Sequence, residues 1–491
     1  MRRTSSLAIL VTALSLPAFA MLALGGCGPT SSPTTGDDDG VGDTCHPGDS
    51  GACYDGPGGT NGTGACTGGT HTCDDSGHWG ACEGEVVPHG EICGNNVDDN
   101  CNGQVDEMTD DDGDGYTTCA GDCCDSVADG CDQPALVNPG AFEVSDNTLD
   151  DDCDGMVDES AATACDTGLA SNSGNALDYA KAIDLCQMAT NGSWGVVDAA
   201  LVRADDTGAP NASQRSIRSA FGGVQVQGGA SFAVLSTGAA AAVGQTSPGY
   251  VDPQQADELG GSSGFPAGFL AANGGTLPNA PGCPEPDLTG ANDPVMLKLR
   301  IKTPTNAKSF RLAVNFMSSE YPEWVCSPFN DFFVVLLDSA WDGQPANPAD
   351  KNLAVYTSPS NQKYPVGVNL GFGDTGLFRQ CVNGPTGCDF GSTAGNISTC
   401  TGTNELTGTG LDTLNPEPSP AAFGEDGYCG ANNREGGGTG WLVTEGNVKG
   451  GETITLRIGL WDTSDGFYDS TAIIDKFEWS VDAAQPGTVI P

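Results

Sequence analysis

Phe332-Phe-Val-Val-Leu-Leu337 is an unbroken apolar run set between Asp331 and Asp338. A run this short, with no polar residue on alternate positions, predicts a strand buried on both faces. Strand-like segments flank it: Trp194 to Val202, Ser231 to Ser236, Val295 to Lys302, Phe310 to Phe316, Leu353 to Thr357, Thr453 to Trp461 and Thr471 to Val481. Gly, Pro and Asn loops separate them, as turns require. One helix is predicted, Asn175 to Met188, with Asn175 as its cap and Leu177, Ala180, Ile183 and Leu185 as a partial apolar face. The pattern predicts a mainly β chain in which residues 161–485 form an antiparallel β-sandwich of jelly-roll type with one early helix. A Gly- and Cys-rich insertion from about Gly371 to Gly440 hangs from one edge, held by Cys381, Cys388, Cys400 and Cys429.

The 491 residues carry 65 acidic against 18 basic side chains, a formal charge of −47. Phosphate recognition needs surface Lys and Arg, so nucleic acid is excluded as a partner. Of 21 cysteines, Cys27 stands apart; 14 fall between Cys45 and Cys186 and 6 between Cys283 and Cys429. Both counts are even, as disulfide pairing in an oxidising compartment demands. The neighbours Cys123 and Cys124 are not expected to bond to each other.

Residues 45–90 are a Cys-rich segment, and residues 91–160 contain an acidic unit twice. The two copies superpose without a gap: Asp98 on Asp150, Asp99 on Asp151, Cys101 on Cys153, Gly103 on Gly155, and Asp106-Glu107 on Asp158-Glu159. Between them Asp110, Asp112 and Asp114 alternate ahead of Gly115, the spacing of a calcium loop. The twelfth position holds Gly121 in place of glutamate, so Asp122, Asp125 or carboxylates of the flanking copies must close such a site. From Asp37 to Glu159 there are 31 acidic residues and no Lys or Arg. Disulfides and bound cations must supply what a hydrophobic core does not. The metal candidates are Asp110, Asp112, Asp114, Asp122, Asp98, Asp106, Glu107, Asp150, Asp158 and Glu159, with calcium as the cation. His46, His71, His78 and His89, interleaved with cysteines, offer zinc as a competing reading, which disulfide pairing of those cysteines removes.

At the amino terminus Arg2-Arg3 and an apolar run from Leu7 to Leu24 read as a signal peptide over residues 1–26, ending in Leu24-Gly-Gly-Cys27. This resembles the bacterial lipobox, which implies acylation of Cys27 and anchoring to the outer membrane or cell surface; ordinary cleavage with Cys27 in a disulfide is the alternative. Residues 27–44 read as a flexible tether.

Two loops of the sandwich region carry chemistry: Ser318-Ser-Glu-Tyr-Pro-Glu-Trp324 with Phe329-Asn-Asp331, and Trp461 to Asp469. Glu320, Glu323, Asn330, Asp331 and Asp469 are candidates for a second cation or a ligand loop. Paired carboxylates such as Glu320 and Glu323, or Asp331, also serve glycoside hydrolysis when held at a defined separation.

Two family resemblances follow from these residues. Asp112-Gly-Asp-Gly-Tyr116, Pro139-Gly-Ala141-x-Glu143 and Asp150-Asp-Asp-Cys-Asp-Gly-x-Val-Asp-Glu159 resemble the MopE-type metal-binding repeat of bacterial surface proteins. The first copy departs from it, with Asn100 and Asn102 where the second has Asp152 and Asp154. That resemblance implies metal binding, with copper or calcium as candidates, and no enzymatic activity. Ser236-Thr-Gly238, Phe316-x-Ser-Ser-Glu-Tyr-Pro-Glu-Trp-Val325, Phe329-Asn-Asp-x-Phe333 and Tyr468-Asp-Ser-Thr-Ala-Ile-Ile-Asp475 resemble the choice-of-anchor L domain over Cys165 to Asp482. That implies surface display, with adhesion to a matrix, glycan or protein ligand. Three functions are thus in play: a lipid-anchored adhesive protein with metal-stiffened repeats, an exported carbohydrate-active enzyme, and a metal scavenger.

Overall fold

The computed structural model describes residues 45–106, 110–159, 165–190, 193–254, 259, 261–372, 375–384, 386–387, 400–414, 429 and 434–491. The expected signal peptide, Cys27, the tether, Glu107 and Cys388 lie outside these residues. The chain divides into two compact units, one holding residues 45–62 and 66–87, the other residues 63–65 and 88–491.

The smaller unit is built on a hairpin of β1 (Ser50–Cys53) and β2 (Gly69–Thr72) in antiparallel register. Cys45–Cys73 and Cys53–Cys82 staple it. His71 lies flat on Trp79, ring centroids 4.1 Å apart. Cys66, the fifth cysteine of this unit, is disulfide-bonded as well, so no thiolate is left there for zinc.

The larger unit is a two-sheet β-sandwich. Its strands are β3 (Gly195–Val202), β4 (Arg215–Arg218), β5 (Phe232–Ser236), β6 (Ala291–Lys302), β7 (Ser309–Ser318), β8 (Phe332–Asp338), β9 (Gly437–Asn447), β10 (Thr453–Asp462), β11 (Ser470–Ser480) and β12 (Gly487–Val489). One sheet runs β12-β9-β7-β11-β5-β4 and the other β8-β10-β6-β3, with Ser262–Ser263 added beside β6. All pairings are antiparallel.

Alternation builds the core. Phe310, Leu312, Val314 and Phe316 of β7 face Ile454, Leu456, Ile458 and Leu460 of β10 in one buried cluster. The unbroken run of β8 is now explained. Phe333, Val335 and Leu337 enter this central core, while Phe332, Val334 and Leu336 join Trp461, Met296 and Phe269 in a second cluster on the outer face.

Two expectations are corrected. The early helix is shorter, α1 spanning Ala176–Lys181, with Asn175 capping it through the Leu177 amide. Asp184 then turns left-handed (φ 69°) and Cys186 bonds to Cys165, so the chain leaves the helical path while Ile183 and Leu185 stay buried. A second helix of one turn, α2 (Phe269–Ala272), also forms. The predicted insertion ends sooner than Gly440, because Gly437–Asn447 is a strand paired with β7. Glycine is required there: a Cβ on Gly437 would stand 2.5 Å from the Phe378 ring and 2.7 Å from that of Tyr321. Cys381 of the insertion bonds to Cys400.

Candidate metal centres

The two acidic copies fold alike to the level of single hydrogen bonds. Glu91 accepts the amides of Asp99 and Asn100 on Oε1 and that of Asp106 on Oε2, at 2.8, 2.8 and 3.2 Å. Glu143 does the same for Asp151, Asp152 and Asp158, at 2.6, 3.1 and 3.0 Å. Asn95 and Asn147 each donate to the aspartate four residues on, Asp99 and Asp151. The backbone repeats too, with Cys101 and Cys153 at φ 62° and 59°, and Asp106 and Asp158 at 47° and 53°.

This framework settles where several predicted carboxylates lie. Both oxygens of Asp98 accept amides, from Asn102 and Gly103, and both of Asp150 accept those of Asp154 and Gly155. Asp106 holds the Gly94, Asn95 and Asn96 amides, and Asp158 those of Asn147 and Thr148. Asp98, Asp106 and Asp158 therefore brace loops and join no carboxylate trio among the described residues.

The central loop divides its labour differently. Asp110 accepts from Gly113 and Gly115 with its two oxygens. Asp112, Asp114 and Asp122 each use Oδ1 for one amide, those of Asp114, Tyr116 and Cys124. Their Oδ2 atoms are buried without a hydrogen-bond partner. These three residues offer carboxylate oxygens within 4.8 Å of one another, and Asp110, Asp112 and Asp125 form a second such trio. In the second copy Glu143, Asp150 and Asp152 form one trio and Asp152, Asp154 and Glu159 another, with Glu159 Oε2 also buried and unpartnered. The first copy has no equivalent trio among the described residues, its Asn100 and Asn102 replacing two of the carboxylates.

Burial pushes Asp112, Asp122 and Asp152 up to about 6, with repulsion from neighbouring carboxylates adding to it. Asp114 and Glu143 are raised by the same desolvation. Carboxylates crowded and desolvated in this way gain from a cation between them. Every donor in the four trios is a carboxylate oxygen, the chemistry of hard cations; copper favours imidazole and sulfur.

Disulfides lock the loop to both copies: Cys93–Cys119 ties it to the first and Cys123–Cys153 to the second, while Cys124 bonds to Cys131. The second copy also docks on the sandwich. Asn306 donates to the Phe142 carbonyl (2.9 Å) and accepts its amide (3.1 Å), and Trp194 Nε1 donates to Ala141 O (2.7 Å).

The sandwich candidates lie near one another. Glu320, Glu323, Asn330, Asp331 and Asp469 are 2, 3, 1, 0 and 5 % exposed. Asn330 turns its Oδ1 to the Asn369 amide (3.0 Å). Asp462, inside the Trp461 to Asp469 loop but not singled out from it, and Asp293, which sequence reasoning missed, are buried beside them; the alternation of β10, which sends Asp462 inward after Leu460, was the available signal for Asp462.

The sandwich and the trios together describe a disulfide-braced β protein with metal-binding motifs. A family model named Cu-binding MopE and described as "Putative metal-binding motif" matches residues 89–107 and 122–159, the two copies and none of the sandwich. No curated protein and no solved structure matches the chain. The disulfides indicate an exported protein, and among the described residues no helix is long and apolar enough to cross a membrane.

Proposed function

We propose that this is a lipid-anchored surface protein whose acidic repeats hold calcium and whose β-sandwich is displayed for adhesion to a matrix polymer, glycan or protein. The observation carrying the cation reading is the trio Asp112, Asp114 and Asp122, each with one oxygen on a backbone amide and the other buried, unpartnered and close to its fellows. A hard divalent cation supplies the missing partner. The all-oxygen donor set favours calcium over copper.

Lipid anchoring rests on Leu24-Gly-Gly-Cys27, and display on the resemblance to the choice-of-anchor L domain. The burial of Glu320, Glu323 and Asp331 favours a non-catalytic reading, since a glycosidase must present its two carboxyls to a sugar.

The test is metal analysis of the purified chain and its melting with calcium, with copper and with a chelator. Calcium is expected to raise the melting temperature and chelator to lower it. A chain that purifies metal-free and melts identically in all three sinks the reading. Acyl groups on Cys27, sought by mass spectrometry, and a glycan and matrix-protein binding screen test the anchor and the adhesion separately.

A further inference from the structure

Five acidic residues meet at one end of the sandwich. The registers Ser318↔Ser470, Phe332↔Trp461 and Asp462↔Asn292 put the end of β7, the start of β11, the start of β8, the end of β10 and the start of β6 at the same edge. Glu320 follows β7, Asp331 precedes β8, Asp462 closes β10, Asp469 precedes β11, and Asp293 sits in β6 where its register with β10 shifts. Strand alternation sends Asp331 and Asp462 inward, on the side of Phe333 and Leu460. They thus cap the central core.

Ser470 Oγ donates to Asp331 Oδ2 (2.5 Å), joining the two sheets at this end. Asp331 Oδ1, Glu320 Oε2 and both oxygens of Asp462 are buried with no hydrogen-bond partner. The three residues are 0, 2 and 1 % exposed, and among the described residues none is ion-paired to Lys or Arg. Uncompensated carboxylates in an interior are strongly destabilising unless a proton or a cation neutralises them. Burial holds all three well above the ordinary carboxylate range, and the neighbouring acids Asp331, Asp465, Asp469 and Asp293 reinforce it. Room for Asp469 is made by Gly238, where a Cβ would overlap its carboxylate at 1.7 Å.

We propose that Glu320, Asp331 and Asp462, with Asp469 and Asp293 around them, form an interior calcium site that closes this end of the sandwich, separate from the repeats. The donors are oxygens only, carboxylates with the Thr237 hydroxyl beside Asp462, which suits a cation taking six to eight oxygen ligands. Among the described residues only the repeats hold trios within 4.8 Å; Asp331 and Asp462 lie side by side, and the ion draws Glu320 toward them. Its effect is to clamp strand ends from both sheets. The competing account is a single proton shared by Asp331 and Asp462.

The experiment uses the full chain with Asp112→Asn and Asp152→Asn, which disable all four repeat trios. After dialysis at neutral pH, this variant is expected to retain one calcium equivalent and to melt lower in chelator. Adding Asp462→Asn should remove that equivalent and the chelator effect, while the melting temperature in chelator holds or rises because a buried charge is gone. Loss of the equivalent already in the repeat variant, or its persistence after Asp462→Asn, overturns the proposal. If Asp462→Asn does not fold, terbium added to the repeat variant decides: Trp461 should sensitise its emission, and calcium should quench it. No sensitised emission favours the shared proton. Because the repeats are disabled throughout, calcium binding there stands or falls by its own test.

Discussion

The side-chain amide of Asn306 in the sandwich and the main chain of Phe142 in the second acidic copy exchange a reciprocal pair of hydrogen bonds, at 2.9 and 3.1 Å. The side chain thereby reads the main chain of the repeat as a neighbouring strand would. If ordering of the repeat reaches the sandwich, this contact is a direct route for it. Asn306→Ala should lower stability by about 1 to 3 kcal/mol, the cost of leaving buried partners unmade. It should also shrink the stabilisation of the sandwich by calcium, measured by urea unfolding with and without the ion. An undiminished calcium response in the variant would show that the contact transmits nothing.

Glu91 and Glu143 hold equivalent amides, but among the described residues only Glu143 belongs to a carboxylate trio. Glu91→Gln and Glu143→Gln should each cost roughly 1 to 3 kcal/mol, since an amide nitrogen then faces a backbone donor. Calcium stoichiometry should fall only in Glu143→Gln. Titration calorimetry beside denaturant unfolding checks both; a fall in both variants would place a cation in the first copy as well.

Asp112 belongs to both trios of the central loop, whereas Asp98 spends both oxygens on amides. Asp112→Asn should therefore weaken calcium binding at least tenfold, about 1.4 kcal/mol or more. Asp98→Asn should destabilise the fold and leave the affinity alone. Equal affinity losses would mean that the hydrogen-bond assignments do not separate bracing from binding.

Asp475 is raised to about 7 by burial, with the Gln227, Gly228 and Lys476 amides lowering it and Asp184 repelling it. Asp184 is raised to about 6 by burial, with Asp166 and Glu478 repelling it and Lys476 lowering it. A carboxyl whose folded value exceeds its unfolded one binds its proton more tightly when folded, so stability is full at acid pH and is lost as pH rises through the folded value. Relative to Asp475→Asn, wild type should lose about 2 to 4 kcal/mol between pH ~4 and ~7.5. Parallel pH–stability curves for the two proteins would rule the shift out.

Much of the sandwich was legible because burial writes itself into spacing. Phe332 to Leu337 lacks alternation since both its faces are covered, and the strands around Phe310 and Thr453 emerged within a few residues of their ends. Gly437–Asn447 was illegible for a physical reason: its glycines answer to the Phe378 and Tyr321 rings, which come from elsewhere in the chain. The same holds at the metal centres. Spacing singled out Asp110, Asp112 and Asp114 as candidates, but spacing does not say which oxygen a backbone amide has taken. Asp98, Asp106 and Asp158 look like Asp112 on paper and differ from it in their hydrogen bonds and in joining no trio among the described residues. Asp152, Asp154 and Glu143 complete trios through a fold that the repeat alone does not display.

The split use of each carboxylate in the central loop bears on speed. In Asp112, Asp114 and Asp122 one oxygen fixes the loop whether or not the other has a partner, and Cys93–Cys119 and Cys123–Cys153 hold the ends. The entropy of ordering the loop is thus spent during folding, before any ion arrives. Ion exchange need not wait for the chain to rearrange. Occupancy can then follow the surrounding concentration as fast as the ion sheds and regains its water.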